Sequence, residues 1–244
     1  MSFRLPRFRI ALVLFPFMGA CSVVSIKHEY VISPGREFNP GIVTALLLPL
    51  NETMETVPGL EQGTGATTNL IVEYLESKGL AVEQPTTDDY RKAIGIAANL
   101  AQKAQLAGET TSVSANLSFA ELIPHLLEAL ESDADIIVTP NMVIRSGQYS
   151  GRKTIRWDGV RRTERGTGGG GITGSTAVAS LFIVLYDKEG VRIFSGYGGL
   201  DLLFELNLRK QRYDLREDRL QNPARLAEGV CVSFHPFFGL AENC

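Results

Sequence analysis

The stretch Val43-Thr44-Ala45-Leu46-Leu47-Leu48-Pro49-Leu50 decides the fold. It is a short apolar run bounded by Gly41 and by Pro49-Leu50-Asn51, the pattern of a strand buried on both faces rather than one alternating between core and water. A loop with Pro58 and Gly59 follows. Leu70, Ile71, Tyr74 and Leu75 then recur at helical spacing over about 64–77, and Gly79 sits where a C-terminal cap belongs. Residues 80–83 read as a second strand, so the folded part opens as a β-α-β unit.

Beyond it, Thr86-Thr87-Asp88-Asp89 caps a helix running to about Leu106, with Gly95 as a weak point inside it. Ser118 and Glu121 form a capping box, stapled by Leu117 and Leu122, ahead of an apolar face of Leu122, Ile123, Leu126, Leu127 and Leu130. Pro124 argues for a helix start later than the box. From Ala134 the character changes to strands, at 135–144, 154–163, 177–186, 191–197 and 200–208, with Asp187-Lys188-Glu189-Gly190 as a tight hairpin turn. In 200–208 leucines and Phe204 alternate with mostly polar residues; core packing, a subunit boundary and a barrel strand all fit, core packing most simply. A last helix is expected over 216–228, interrupted by Pro223. The fold class is α/β (α+β): a β-α-β start, with helices packed on a mixed sheet that ends in an antiparallel meander, all in one domain over 42–244.

The N-terminus carries Arg4, Arg7 and Arg9 and then an apolar run, 10–18, broken only by Pro16, before Gly19-Ala20-Cys21. This is the plan of a cleaved secretory signal, 1–20, too short to cross a bilayer as a mature helix. Phe17-Met18-Gly19-Ala20-Cys21 resembles a bacterial lipoprotein signal, which implies acylation of Cys21 and anchoring by lipid. Ser22 is not the aspartate that marks inner-membrane retention in enteric bacteria, so the expected location is the outer membrane, facing the periplasm. The polar, Gly- and Pro-containing residues 21–41 read as a tether. Committing Cys21 to lipid leaves Cys231 and Cys244, which an oxidising compartment lets bridge.

About 224 mature residues at 44% hydrophobic composition can build a real core. Removal of the leader takes the formal charge from −3 to −6, which does not suggest a nucleic-acid partner. Basic residues are nevertheless uneven. Arg145, Arg152, Lys153, Arg156, Arg161, Arg162 and Arg165 meet only Asp158 and Glu164 across 145–165. This ribbon, with Trp157 in its middle, has three readings: a solvated pair of strands with charges on one side, a lipid-interface surface, or a contact for an acidic polymer. Arg152, Lys153, Arg156, Trp157, Arg161 and Arg162 are the residues for either contact. Gly166-Thr167-Gly168-Gly169-Gly170-Gly171 spells G-x-G-x-x-G without the strand before and helix after that a dinucleotide needs, and reads as a flexible hairpin tip. His28, His125 and His235 are scattered and no Cys-x-x-Cys occurs, so neither metal nor cofactor is expected. Nor does any G-x-S-x-G elbow occur.

The order Leu46-Leu47-Leu48-Pro49-Leu50-Asn51, a helix ending at Gly79, Ala134-Asp135-Ile136-Ile137-Val138-Thr139, then 179–187 with Glu189-Gly190 and Phe194-Ser195-Gly196, is similar to a superfamily of bacterial envelope lipoproteins. Its members include the curli-secretion channel lipoprotein, the Pel exopolysaccharide lipoprotein, the penicillin-binding-protein activator lipoproteins and the N-terminal domain of the Tol translocation protein. The likeness spans roughly 42–205. Pro140 departs from it where such proteins often carry glycine, and neither the Gly-rich insertion nor the C-terminal cysteine pair belongs to it. The resemblance implies a non-enzymatic, oligomeric assembly protein for secretion, polysaccharide export or cell-wall machinery. A monomeric docking lipoprotein that activates an envelope enzyme and a periplasmic hydrolase are the alternatives.

Overall fold

The computed structural model describes residues 28–35, 41–50, 60–106, 117–150, 154–163, 174–207 and 212–239. In chain order these form β1 (Tyr30–Ile32), β2 (Thr44–Leu47), α1 (Glu61–Ser77), β3 (Ala81–Glu83), α2 (Thr87–Leu106), α3 (Phe119–Leu130), β4 (Ile136–Tyr149), β5 (Thr154–Trp157), β6 (Val160–Thr163), β7 (Ser175–Asp187), β8 (Arg192–Leu202), β9 (Phe204–Asn207), β10 (Arg212–Leu215) and α4 (Pro223–Phe234). The main sheet runs β1-β8-β7-β4-β2-β3, with β5 paired to β4 and to β6. The β2 strand is parallel to β3 and β4, and the pairings of β4, β7, β8 and β1 are antiparallel. The α/β class, the β-α-β start and the antiparallel second half stand as expected.

β2 shows why its run is apolar throughout. Ala45 and Leu47 face one core with α1 and α4, while Leu46 and Leu48 face a second with α2 and α3. Helices thus cover both faces of the sheet. On α1, Gly63, Thr67, Ile71 and Leu75 fall four apart and are buried. Each fully buried Leu or Ile contributes about 1.5–3 kcal/mol. Gly79, at φ 86°, ends α1 and donates its N–H to the Glu76 carbonyl. The capping box of α3 forms as read, with the Ser118 N–H donating to Glu121 at 2.7 Å.

Five expectations are corrected. First, α3 starts at Phe119 despite Pro124. A proline removes only the bond to the carbonyl four residues earlier, that of Ala120, and Gly190 of the β7–β8 turn lies so close to this carbonyl that a side chain there would collide with it. Second, residues 154–163 are two strands, β5 and β6, turning at Asp158-Gly159 with φ 36° and 80°. Third, the strands read at 191–197 and 200–208 join from Arg192 to Leu202 in one strand, β8, through Gly198 and Gly199. Pairing with β7 holds this backbone extended, and Gly198 has no side chain because the Gly229 backbone of α4 rests there. Fourth, α4 begins at Pro223 and runs to Phe234. At the first helical position a missing N–H costs nothing, and the Asn222 side chain caps by accepting from the Arg225 N–H at 3.2 Å. Fifth, residues 30–32, within the stretch read as tether, form β1 on the sheet edge.

The alternation expected over 200–208 also breaks. Leu200, Asp201, Leu202 and Leu203 are all buried, and from Phe204 the chain enters the separate β9–β10 sheet.

Candidate interaction site at the hairpin end of the sheet

The β5–β6 hairpin hangs from the end of β4 and folds across the sheet. Its register pairs Ile155 with Arg162 and Trp157 with Val160 on the inner side, and Thr154 with Thr163 and Arg156 with Arg161 on the outer. Burial follows that alternation. Ile155, Trp157 and Val160 join Val178, Leu202 and Val232 in a third core. The Trp157 indole is 5% exposed and donates to the Ala179 carbonyl at 3.2 Å, over Gly199, whose missing side chain makes room for it. Arg162, 7% exposed, pairs with Glu228 of α4 at 2.7 Å.

The ribbon residues therefore divide. Trp157 and Arg162 are structural, which removes the indole from any surface contact. Arg161 is exposed and Arg156 half-buried on the outward face. Arg152, Lys153 and Arg165 lie outside the described residues, as do Cys21, Cys244 and the glycine segment 166–171. That segment links β6 to β7, which are not partners in the described pairings. Cys231 sits partly buried on α4.

Beneath the hairpin turn lies a polar network that the sequence reading did not find. Asp158, buried, accepts from the Arg145 guanidinium at 3.1 Å and from the Ser180 hydroxyl at 2.7 Å. Arg145 also reaches Glu29 at 2.6 Å and lies 4.1 Å over the Tyr197 ring, which stacks on Phe182. Burial pulls the Arg145 pKa down, but its bonds to Glu29 and Asp158 outweigh burial and the net shift is upward. The available signal was Asp158-Gly159 between alternating residues, a hairpin dipeptide that brings its own aspartate back over β4.

His28 lies against the same turn and against the C-terminal end of α4. Its Nε2 meets the Tyr197 carbonyl at 3.1 Å, and its ring stacks on His235 at 5.4 Å. Burial, aided by His235, lowers the His28 pKa against the opposing effects of the Tyr197 and Val232 carbonyls and Asp158.

Two concavities complete the surface. Between the hairpin and α3, the sheet face carries Thr139, Asn141, Phe182 and Val184, and a cleft of about 290 Å³ is walled by Tyr90, Phe119 and Tyr186. A second crevice of about 830 Å³ lies at the carboxyl ends of β2 and β3, between Thr64 and Thr68 of α1 and Thr87 and Arg91 of α2, the place where open α/β sheets accept ligands. Asp88 and Asp89 in the first turn of α2 disfavour an anion there. No grouping of three or more metal-ligating side chains occurs among the described residues, and no described helix is long and apolar enough to cross a membrane.

Fold and site together define a helix-covered mixed-sheet α/β module whose surface features are a basic hairpin face and an aromatic cleft. No family model matches the chain, and no curated protein does. Among solved structures it is similar to a PelC dodecamer from Paraburkholderia phytofirmans, at TM-score 0.39 and 11% identity over 88% of this chain and 98% of that one. A variant PelC dodecamer from the same organism follows at TM-score 0.36 and 11% identity, over 86% and 98%. The likeness is a distant one.

Proposed function

We infer that this chain is a lipid-anchored, non-enzymatic assembly protein of the outer membrane, facing the periplasm and associating with itself in support of secretion, polysaccharide export or cell-wall machinery. The observation that carries this reading is the position of β1. The lipoprotein-type signal ends at Cys21, and by His28 the chain is already docked on the sheet edge through the Tyr30–Gly196 and Ile32–Phe194 pairings. A lipid on Cys21 would hold the body at the bilayer on a leash of seven residues rather than on a long tether. The aromatic cleft beside Phe182 and Tyr197 supplies a surface for a second copy or for an envelope partner.

The intact mass of the membrane-extracted protein tests the anchor, and light scattering of the same sample tests assembly. The expected results are a chain beginning at an acylated Cys21 and a discrete oligomer. A chain beginning elsewhere overturns the anchor. A monomer overturns self-assembly and favours a docking lipoprotein that uses the same cleft on an envelope enzyme.

A further inference from the structure

The cleft between α3 and the hairpin holds polar groups that the fold leaves unused. Asn141 stands directly opposite Phe182 in the β4–β7 register, so both rise from the same face of the sheet. Asn141, Tyr90 and Tyr186 line the cleft, each half-buried, and none of their side chains has a hydrogen-bond partner among the described residues. Burial raises both tyrosine pKa values, against Arg192 in the case of Tyr186, so the hydroxyls keep their protons and can donate. The Thr139 hydroxyl donates to the Val184 carbonyl at 3.0 Å and keeps its lone pairs to accept. Beside these groups stand the rings of Phe182 and of Phe119, the latter T-shaped to Tyr186 at 5.8 Å.

These features select the occupant. No charged side chain lines the cleft, and the first turn of α2, which leads to Tyr90, carries Asp88 and Asp89, so a phosphate or carboxylate finds no counter-charge. An apolar occupant would strip water from the amide and the hydroxyls without replacing its bonds. An added peptide strand has no edge to join, because β4 and β7 are paired with each other along the floor, Thr139 to Val184 and Asn141 to Phe182. A neutral sugar meets every condition. Its ring C–H groups pack on the negative faces of aromatic rings, and its hydroxyls both donate to and accept from Asn141, Thr139 and the tyrosines. The volume of about 290 Å³ lies at the small end for ligand sites and suits roughly one or two rings. Leu48, Pro49 and Tyr90 also line the crevice of about 830 Å³, where Thr64, Thr68, Thr86 and Thr87 add further hydroxyls, so a chain can continue from the cleft into it.

We propose that the cleft is a glycan-binding site, holding a neutral pyranose ring of an oligosaccharide through Asn141, Tyr90 and Tyr186 beside the rings of Phe119 and Phe182. Such a site requires neither the lipid on Cys21 nor self-association. The test is calorimetric titration of the full-length mature protein with cellotriose, maltotriose, chitotriose and trigalacturonate, with light scattering of the same samples. At least one of the neutral sugars is expected to bind with a Kd of about 1 mM, and trigalacturonate about tenfold more weakly or worse, since its charges find no partner. Each hydrogen bond lost should weaken binding about fivefold. Tyr90→Phe and Asn141→Leu should each show that loss, and together about 25-fold, while their thermal midpoints stay near that of the wild type because no internal bond is removed. Failure of every neutral sugar to bind at about 10 mM overturns the site. Binding untouched by either variant overturns its placement in the cleft, and tighter binding of trigalacturonate overturns the neutral class. A monomer that binds sugar keeps the site and overturns self-assembly. An oligomer that binds none, and that Phe182→Glu dissociates, overturns the site and gives the cleft to the protein contact.

Discussion

Asp201 is fully buried, and its carboxylate accepts from Arg225 at 2.7 Å and from the Leu220 and Leu202 N–H groups at 2.9 Å each. One side chain thus ties β8 to the start of α4 and to the residues before it. Arg225 is partly exposed, so the larger loss on removing Asp201 is the acceptor of the two buried N–H groups, at about 1–3 kcal/mol for each donor left unsatisfied. Asp201→Ala should lose about that much in urea unfolding, and adding Arg225→Met should recover little of it. In the sequence, Asp201 looked like the solvent side of an alternating strand. No local pattern reports that both faces of Leu200–Leu203 are covered, because the α4 and hairpin residues that cover them come from elsewhere in the chain. Asp135 was more legible in position than in role. It accepts from the Val43 and Thr44 N–H groups at 2.9 and 3.0 Å, and from the Thr44 hydroxyl, across the start of β2 and β4. The bond from the Val43 N–H is the main cause that holds its pKa below the usual aspartate value. A depressed folded pKa contributes stability that is complete above the unfolded value of about 3.9 and is lost as pH falls through the folded one. Acid titration of unfolding should therefore show a smaller loss below pH ~4 in Asp135→Asn than in the wild type.

Among the elements, β1 is the shortest connection between the N-terminus and the body, three residues paired to β8 alone. Two residues before it, His28 meets the Tyr197 carbonyl of β8 at 3.1 Å and stacks on His235. The groups facing that ring are the Tyr197 and Val232 carbonyls, Asp158, His235 and Tyr30. Burial and His235 lower the folded pKa despite the carbonyls and Asp158, so the neutral form is favoured on folding. The associated stability is complete above the unfolded value of about 6.5 and declines as pH drops through the folded one. Amide exchange of Tyr30–Ile32, corrected for intrinsic pH dependence, should show lower protection at pH 5 than at pH 7.5. His235→Ala should shrink that difference, and an unchanged difference would exclude the stack as its cause. The sequence could not reveal β1, since a three-residue edge strand has too few positions for any period, and its partner is about 165 residues away. By contrast, β2, α1, α2 and the α3 capping box were legible because each carries its signal within a few turns: an unbroken apolar run, a four-residue stripe, a cap. The hairpin was half legible. Arg161 faces outward, but Arg162 turns inward to Glu228, so the charges do not all lie on one side, and Trp157, which the lipid-interface reading set at the surface, is in the core.

At the scale of the whole molecule, the two faces of the sheet are treated differently. The α1 and α4 face is sealed from Leu75 across to Phe234, with Tyr74 stacked on Phe234 at 5.0 Å and its hydroxyl pKa pushed up to about 12 by burial. On the other face, α2 and α3 cover one end and the β5–β6 hairpin the other. Between them Phe182 and Tyr197 stack at 4.3 Å while remaining half-buried. Neither ring is needed to close a core, since the β7 residues that fill the sealed side, Leu181 and Ile183, point the opposite way. A half-covered aromatic pair set between two raised walls is the kind of anchor that carries binding energy at an interface, where truncating one such ring costs about 2 kcal/mol or more. If self-association runs through this cleft, Phe182→Glu should weaken it about 30-fold or more. Its thermal midpoint, read in dilute solution where dissociation already dominates, should stay close to that of the wild type, because a charge at a half-exposed position can remain in water. Sedimentation across a concentration series separates the outcomes. A shifted dissociation with an unchanged midpoint places the contact in the cleft. An oligomer untouched by Phe182→Glu places it elsewhere and leaves the cleft to a partner of another kind.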